Sequence, residues 1–360
     1  SSAASDVYKR QIRSWILATR LNRPRPKPGK SSNRFAIILG LIALVLFLVP
    51  MLVGVYTDFR WFGELDYRGV FTKTILARVA LFVIFGLVGA AITWAAAFFA
   101  WRGRERDDDF LGDPNSPMTV NRAAIQSGLR PLLRWVPLAV GLVSGLLGQS
   151  TWRTFMLWLN GGQFGSTDAQ FGRDLGFYAF ALPALTTIVS VLSMLLVVAF
   201  LVGLVGHYLL GGIRIASQAA GTKGHISRPA LIQLAVTAGL WMLVKALDYW
   251  LQRYSLLFDR NDIFTGASYT DINAQLPARI ILMVIAILVA AAFFASVVFR
   301  DLRVPVMATV LMVLSSLVIG QAWPALLQQF SVNPNRQERE SEYIARNIEA
   351  TREAYGLTDD

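Results

Sequence analysis

Seven apolar runs, each close to the length of a bilayer-crossing helix, leave this 360-residue chain few ways to fold. They lie near Phe35–Tyr56, Val79–Trp101, Trp135–Trp152, Ala184–Leu210, Pro229–Trp250, Ile280–Phe299 and Val304–Leu326. About 20 apolar residues in a helix cross the roughly 30 Å of hydrocarbon in a membrane. The strands of an outer-membrane barrel would instead be alternating segments of about ten residues. These runs are longer and apolar on every face, so lipid is the expected solvent on all sides. With 54% hydrophobic and only 16% charged residues, the chain falls well below the roughly 25% charge of soluble domains. The expectation is an all-α protein, a polytopic transmembrane helical bundle of about seven spans.

Charge gives the orientation. With the N-terminus inside, the inner segments carry 20 Lys and Arg and the outer segments 13, while Lys245 lies within a span. Net charge is then +13 inside and −2 outside. Excess Lys and Arg mark the cytoplasmic side, so the N-terminus is expected in the cytoplasm and the C-terminus outside, in a multi-pass protein of the bacterial plasma membrane. Three regions follow: a basic cytoplasmic arm over 1–34, the bundle over 35–326, and the start of an extracytoplasmic region over 327–360. Residues 1–11 resemble translated sequencing-adapter sequence and are set aside as a non-native scar.

The basic cluster Arg20, Arg23, Arg25, Lys27, Lys30 and Arg34 ends at the first span and is broken by Pro24, Pro26 and Pro28. Such an arm suits anionic lipid at the membrane surface rather than nucleic acid. With no cysteine in the chain, disulfides, thiolate zinc sites and iron–sulfur ligation are excluded. Trp101, Trp135, Trp152, Trp250 and Trp323 sit near span ends, where indole rings are favoured. Trp94 and Trp241 lie deeper and are expected between helices. Gly141 and Gly145 have the small-xxx-small spacing that lets helices approach closely.

The two sides differ in kind. The inner loop 102–134 contains a single aromatic, Phe110. The outer loops are rich in aromatics, including Phe59, Trp61, Phe171, Phe177, Tyr178, Tyr254 and Phe258, which are costly to leave wet and are expected to pack on one another or on the interface. In the tail, Ile344, Ile348, Thr351 and Tyr355 follow helical spacing on an amphipathic helix, with Asn333-Pro334 as a breaker before it. A missing downstream domain is its expected partner, with the outer membrane interface second.

Several stretches recur as motifs: YTDFRWFGELDYRGVF (Tyr56–Phe71), FGSTDAQFGRDLGFYAFALP (Phe164–Pro183), KALDYWLQRYSLLF (Lys245–Phe258), GASYTDINAQLP (Gly266–Pro277) and SEYIARNIEATREAYGL (Ser341–Leu357). In these the chain resembles the UPF0182 family of bacterial membrane proteins, common in actinobacteria, from about Phe35 to the end. The resemblance implies a much longer protein, with several N-terminal spans before a large extracytoplasmic region, of which this chain is an N-terminal fragment. It supplies architecture and address but no catalytic residues. Asp58, Trp61, Glu64, Asp66, Asp174 and Asp271 are the outer-loop motif positions that stand out.

Candidate chemistry is sparse. Lys245 and Asp248 lie three apart in the fifth span and can pair on one helical face. An intramembrane pair marks a functional site by default, although Trp250 nearby makes a packing role the preferred reading. His207 and His225 lie on separate elements with no ligand pattern, and His207 reads as an interfacial polar tip. The outer acids Asp58, Glu64, Asp66, Asp168, Asp174, Asp259, Asp262 and Asp271 match no EF-hand spacing, so a solvated face is preferred to a cation site. No P-loop, GxSxG, HExxH or dinucleotide fingerprint occurs. No cofactor, metal site or enzyme activity is expected in this region. Two functions remain open: a membrane bundle that anchors and positions an external domain, possible in cell-envelope assembly, or a transporter or channel. A transporter should show mid-membrane polar residues, broken spans or repeated halves; the nearly charge-free span centres favour the anchor.

Overall fold

The computed structural model describes residues 34–103, 135–214, 225–260 and 264–357. The basic arm before Arg34, the inner loop over 104–134 and Asp262 lie outside the described residues. Within them the fold is all-α, save for one antiparallel ladder in which β1 (Ile213–Arg214) pairs with β2 (His225–Ile226). The chain divides into two compact units, residues 1–73 and 74–360.

In the first unit, α1 (Arg34–Glu64) meets the start of α2 (Arg68–Arg102). These helices have 31 and 35 residues, so each is longer than the roughly 30 Å that hydrocarbon requires. The segment expected as the first outer loop is therefore mostly helix. Continuing the helix keeps every backbone group paired, which is favourable in lipid and at its edge alike. α1 ends in a Schellman turn: Tyr67 N–H donates to the Phe62 carbonyl at 2.9 Å and Asp66 N–H to that of Gly63 at 3.4 Å. Asp66 adopts the left-handed conformation this turn needs, with φ 59°; Asp is among the few non-glycine residues that tolerate it. Phe62 and Phe59 close the turn against Phe71, with ring centroids 5.6 and 5.8 Å away.

The second unit contains α3 (Trp135–Ser150), α4 (Trp152–Asn160), α5 (Leu182–Leu209), α6 (Arg228–Ser255), α7 (Leu276–Phe299), α8 (Arg303–Leu317), α9 (Trp323–Leu327) and α10 (Arg336–Ala354). Among the described residues, six helical stretches are long and apolar enough to cross a membrane: Ile38–Glu64, Arg68–Arg102, Phe177–Leu209, Arg228–Phe258, Asp271–Phe299 and Arg303–Ala354. The expected third span is α3, apolar but shorter than these. It stops at Thr151, whose hydroxyl donates back to the Gly148 carbonyl at 2.8 Å.

Small residues set the helix contacts. A Cβ on Gly141 would lie 2.9 Å from the Ala90 Cβ and the Gly86 carbonyl oxygen, and one on Gly145 2.7 Å from the Phe82 carbonyl oxygen. The Gly141/Gly145 spacing thus brings the α2 and α3 backbones into direct contact, as the sequence predicts. The main core joins Ala235, Ala238, Met242 and Ala246 of α6 to Ala286, Val289, Ala290 and Phe293 of α7 and Met312 of α8. Trp241 lies between helices as expected, its indole N–H donating to Ser193 Oγ on α5 at 2.9 Å. Trp94 does not: it is 56% exposed and stacks on Phe98 of its own helix. Lipid solvates a large apolar ring as well as a neighbouring helix does, so nothing drives it inward.

Prolines shape several helix ends. Pro183, Pro277 and Pro324 each stand at the second position of a helix that follows a π-helical turn, over Phe177–Ala181, Asp271–Gln275 and Val318–Ala322. A fourth π turn, Gln328–Val332, precedes the 3₁₀ turn Asn333–Asn335 that holds Pro334. Proline lacks an N–H and its ring clashes with the carbonyl four residues back; widening the preceding turn relieves the clash without ending the helix. For this reason Asn333-Pro334 does not break the chain into a loop: helical backbone runs on from α8 into α10. The close α2–α3 crossing makes Gly145→Val a direct packing test. Overpacking there is expected to cost about 1–3 kcal/mol, read as lowered thermal stability in bilayers, whereas Gly162→Ala, in open space, should leave stability nearly unchanged.

Candidate functional site

The loop before α5, expected outside, folds around two carboxylates. Asp168 Oδ1 accepts the N–H groups of Gln170 at 2.9 Å and Phe171 at 2.5 Å; Oδ2 accepts the Arg173 N–H at 2.8 Å and the Tyr178 hydroxyl at 2.7 Å. Asp174 accepts three more backbone donors, Phe164 N–H at 3.1 Å and Gly176 N–H at 2.7 Å on Oδ1, and Gly165 N–H at 2.9 Å on Oδ2. Burial pushes the Asp168 carboxyl up, but the bonds from Phe171, Tyr178, Arg173 and Gln170 outweigh it and hold the group below the usual carboxylate range. Asp174 is likewise held low: desolvation raises it, and the N–H groups of Phe164, Gly176 and Gly165 together outweigh that. Both side chains therefore serve as backbone caps of a hairpin.

Aromatic packing fastens this hairpin to the C-terminal end of α6. Phe171, Phe177 and Tyr178 surround Tyr254 with centroids at 5.0, 5.2 and 6.2 Å, and Trp250 closes the cluster at 5.3 Å. The outer-loop aromatics thus pack on one another, as their cost in water predicts.

The third outer loop is pinned from within by Asp271, only 3% exposed. Its Oδ2 accepts the Ser268 N–H and hydroxyl, both at 2.8 Å, and its Oδ1 accepts Gln275 Nε2 at 2.7 Å. Above both loops lies α10. Glu340, 3% exposed, accepts the Tyr269 N–H at 3.1 Å. Arg339 stands 5.1 Å over the Tyr269 ring and donates to its hydroxyl at 3.0 Å. Asn347 Nδ2 donates to the Thr265 carbonyl at 2.8 Å. Towards the hairpin, Arg346 donates to Gln170 Oε1 at 3.3 Å and Glu353 accepts the Ser166 hydroxyl at 2.8 Å. The tail helix therefore bridges two outer loops of its own chain, through a polar face. The expected apolar stripe is not that face, since Ile348 is 54% and Tyr355 77% exposed. Glu340, Arg346, Asn347, Ser166 and Glu353 escaped the sequence reading; the spacing of Glu340, Tyr343 and Asn347 on one helical side was the available signal.

The remaining named residues separate. Asp58, Trp61 and Glu64 lie exposed on α1 and Asp66 forms its terminal turn, all in the first unit. Lys245 and Asp248 pair at 2.5 Å on α6, with the ammonium also 5.3 Å from the Tyr249 ring centroid. Asp259 is pushed above the ordinary carboxylate range, first by burial and then by the negative charge of Asp271, against a smaller opposing effect of Arg279. Among the described residues no group of three or more His, Asp or Glu is placed to hold a metal ion.

His207 corrects the sequence reading. It is fully buried rather than at an interface. Its Nε2 lies 2.9 Å from Gln233 Oε1, and Gln233 Nε2 donates to the Ala96 carbonyl at 2.8 Å. Three helices, α2, α5 and α6, meet at this polar junction. Gly203 and Gly206 make room for it: Cβ atoms there would meet Gln233 Nε2 at 2.7 Å and the Ala100 Cβ at 2.9 Å. Burying imidazole in an apolar bundle requires such a partner.

Two predictions follow from the outer platform. A carboxyl held high favours the folded state when protonated; one held low favours it when ionised. The stabilisation from Asp168 and Asp174 is present above the unfolded value of about 3.9 and lost as pH falls through their lower folded values. The penalty at Asp259 is absent below about 3.9 and complete above its raised folded value. Protection of the outer loops against hydrogen exchange should thus rise on mild acidification towards about pH 4 and collapse below it; Asp259→Asn should remove the rise and leave the collapse. Separately, Glu340→Ala should loosen α10 by about 1–3 kcal/mol through the orphaned Tyr269 N–H, seen as faster exchange over 336–354 with the α6–α7 core unchanged.

A model of the family described as "Uncharacterised protein family (UPF0182)" matches residues 35–360. A UPF0182 protein of Corynebacterium glutamicum is 55% identical over 338 residues, covering 94% of this chain and 34% of the relative. One from Corynebacterium diphtheriae is 53% identical over 344 residues, covering 96% and 35%, and one from Rhodococcus jostii is 46% identical over 343 residues, covering 93% and 34%. The chain spans about a third of the length of these curated relatives. No solved structure matches it. With its long apolar helices and motif-bearing outer loops, the chain belongs to the UPF0182 family.

Proposed function

We propose that this region is a plasma-membrane bundle of seven spans, N-terminus inside and C-terminus outside, that anchors and positions a large extracytoplasmic part of the same protein, with a role in cell-envelope assembly. The observation that carries the reading is α10, held on two outer loops by Glu340, Arg339, Arg346, Asn347 and Glu353. A chain leaving the bundle through a helix so tethered starts from a defined position and direction. The charge division of +13 against −2 supports the orientation, and the arm before Arg34 suits anionic lipid on the inner surface.

The ion pair fits this reading. Lys245 and Asp248 neutralise each other on one helix, so the pair fixes α6 without offering an uncompensated charge to a passing ion. The rival reading, a transporter or channel, would use the same pair as a coupling site.

The absence of cysteine makes the topology directly measurable. Ser341→Cys, at an exposed position of α10, should react with a membrane-impermeant maleimide in intact cells, and labelling only after permeabilisation would overturn the orientation. Replacing Lys245 and Asp248 together by Met and Leu should preserve the fold and the placement of α10 better than Asp248→Leu alone, which strands a cation in the bundle. Loss of a proton- or ion-coupled flux in the double variant, with the fold intact, would favour the transporter.

A further inference from the structure

The junction at His207 has an unfinished end. Gln233 donates through Nε2 to the Ala96 carbonyl, so its Oε1 is the acceptor that faces His207 Nε2. In the neutral ring Nε2 therefore carries the proton and Nδ1 a lone pair. Among the described residues that Nδ1 has no hydrogen-bond partner, although His207 is 0% exposed. The Ser227 hydroxyl, 4% exposed, is equally without one among them.

These two atoms converge. A Cβ placed on Gly212 would lie 2.9 Å from Ser227 Oγ and 3.1 Å from His207 Nδ1. The pair is thus no farther apart than the sum of those distances, which one molecule bonding at up to about 3.0 Å to each side can span. Glycine at 212 keeps a side chain out of this place, and its carbonyl is already engaged by the Ser227 N–H at 2.8 Å.

Ser227 strengthens the case by what it does not do. It is the N-cap of α6, in extended backbone at φ −65° and ψ 151°, yet its hydroxyl makes no capping bond. Serine at an N-cap ordinarily stabilises its helix through that bond. A buried hydroxyl that forgoes it needs another partner, and its position points to the one the imidazole also lacks.

We propose that His207 Nδ1 and Ser227 Oγ hold a single water molecule between them. The water donates to the imidazole lone pair and exchanges a second bond with the hydroxyl. It completes a polar chain from the Ala96 carbonyl of α2 through Gln233 and His207 to the N-cap of α6. A buried water with two or more polar partners is an ordinary structural component of a protein interior. A metal cation would have a single nitrogen and a single hydroxyl as side-chain ligands, a poor set for any common ion.

The chain has two histidines, so His225→Gln leaves one imidazole signal. With histidine ¹⁵N-labelled and the protein reconstituted in phospholipid bilayers in alkaline buffer, magic-angle-spinning NMR reads each ring nitrogen. Polarisation from water protons should reach an unprotonated His207 Nδ1. Its build-up should slow several-fold in Ser227→Ala and in Gly212→Ala, whose methyl group would occupy the gap. Three results would overturn the proposal: no transfer from water in the parent protein, a proton resident on Nδ1 with Nε2 bare, or transfer unchanged in both variants. The parent measurement decides even if Gly212→Ala fails to fold.

Discussion

Backbone amides that cannot be left unpaired away from water organise this molecule. Each one left so costs several kcal/mol, so the chain stays helical wherever it can, including where the sequence suggests an interruption. α1 and α2 run past the length a bilayer needs and meet in a turn of three residues. Prolines 183, 277, 324 and 334 shift the hydrogen-bond register into π or 3₁₀ turns rather than ending helices. Where backbone does leave the helix, in the second and third outer loops, carboxylates of Asp168, Asp174 and Asp271 take up the freed donors. Acids that read as a solvated face in sequence are, at these three positions, caps in structure.

From those capped loops comes the outer platform. The hairpin is rigid because its two carboxylates are saturated and its aromatics enclose Tyr254. The third loop is rigid because Asp271 is buried and bonded on both oxygens. Only two firm loops can give a tail helix a polar seat; mobile ones would lose the specificity of Asn347 on the Thr265 carbonyl or Glu353 on the Ser166 hydroxyl. Function in this reading is mechanical: the bundle supplies depth and orientation, and the platform supplies direction.

Sequence patterns carried the all-α class, the long apolar helices, the family and the Gly141/Gly145 contact, because each rests on local composition or spacing. They could not carry the seat of α10, since Glu340 and Tyr269 lie 71 residues apart and nothing local to either identifies the other. The stripe of Ile348 and Tyr355 could not point to this seat for a related reason: amphipathic spacing names a face without naming its partner, and the hydrogen bonds to the loops lie on another face. His207 was missed because its partners, Gln233 and Ala96, are 26 and 137 residues removed along their respective links. Trp94 was misplaced because lipid, unlike water, does not penalise an exposed indole.

The central claim is that α10 is seated on the outer loops and fixes the exit of the chain. Thr265→Cys combined with Asn347→Cys, in a chain without native cysteine, tests it with a short membrane-impermeant bis-maleimide on intact cells. The account predicts efficient intramolecular crosslinking of this pair and little for Thr265→Cys combined with Ala345→Cys, an exposed position about 200° round the helix from Asn347. Equal crosslinking of both pairs, or none in either, would contradict it.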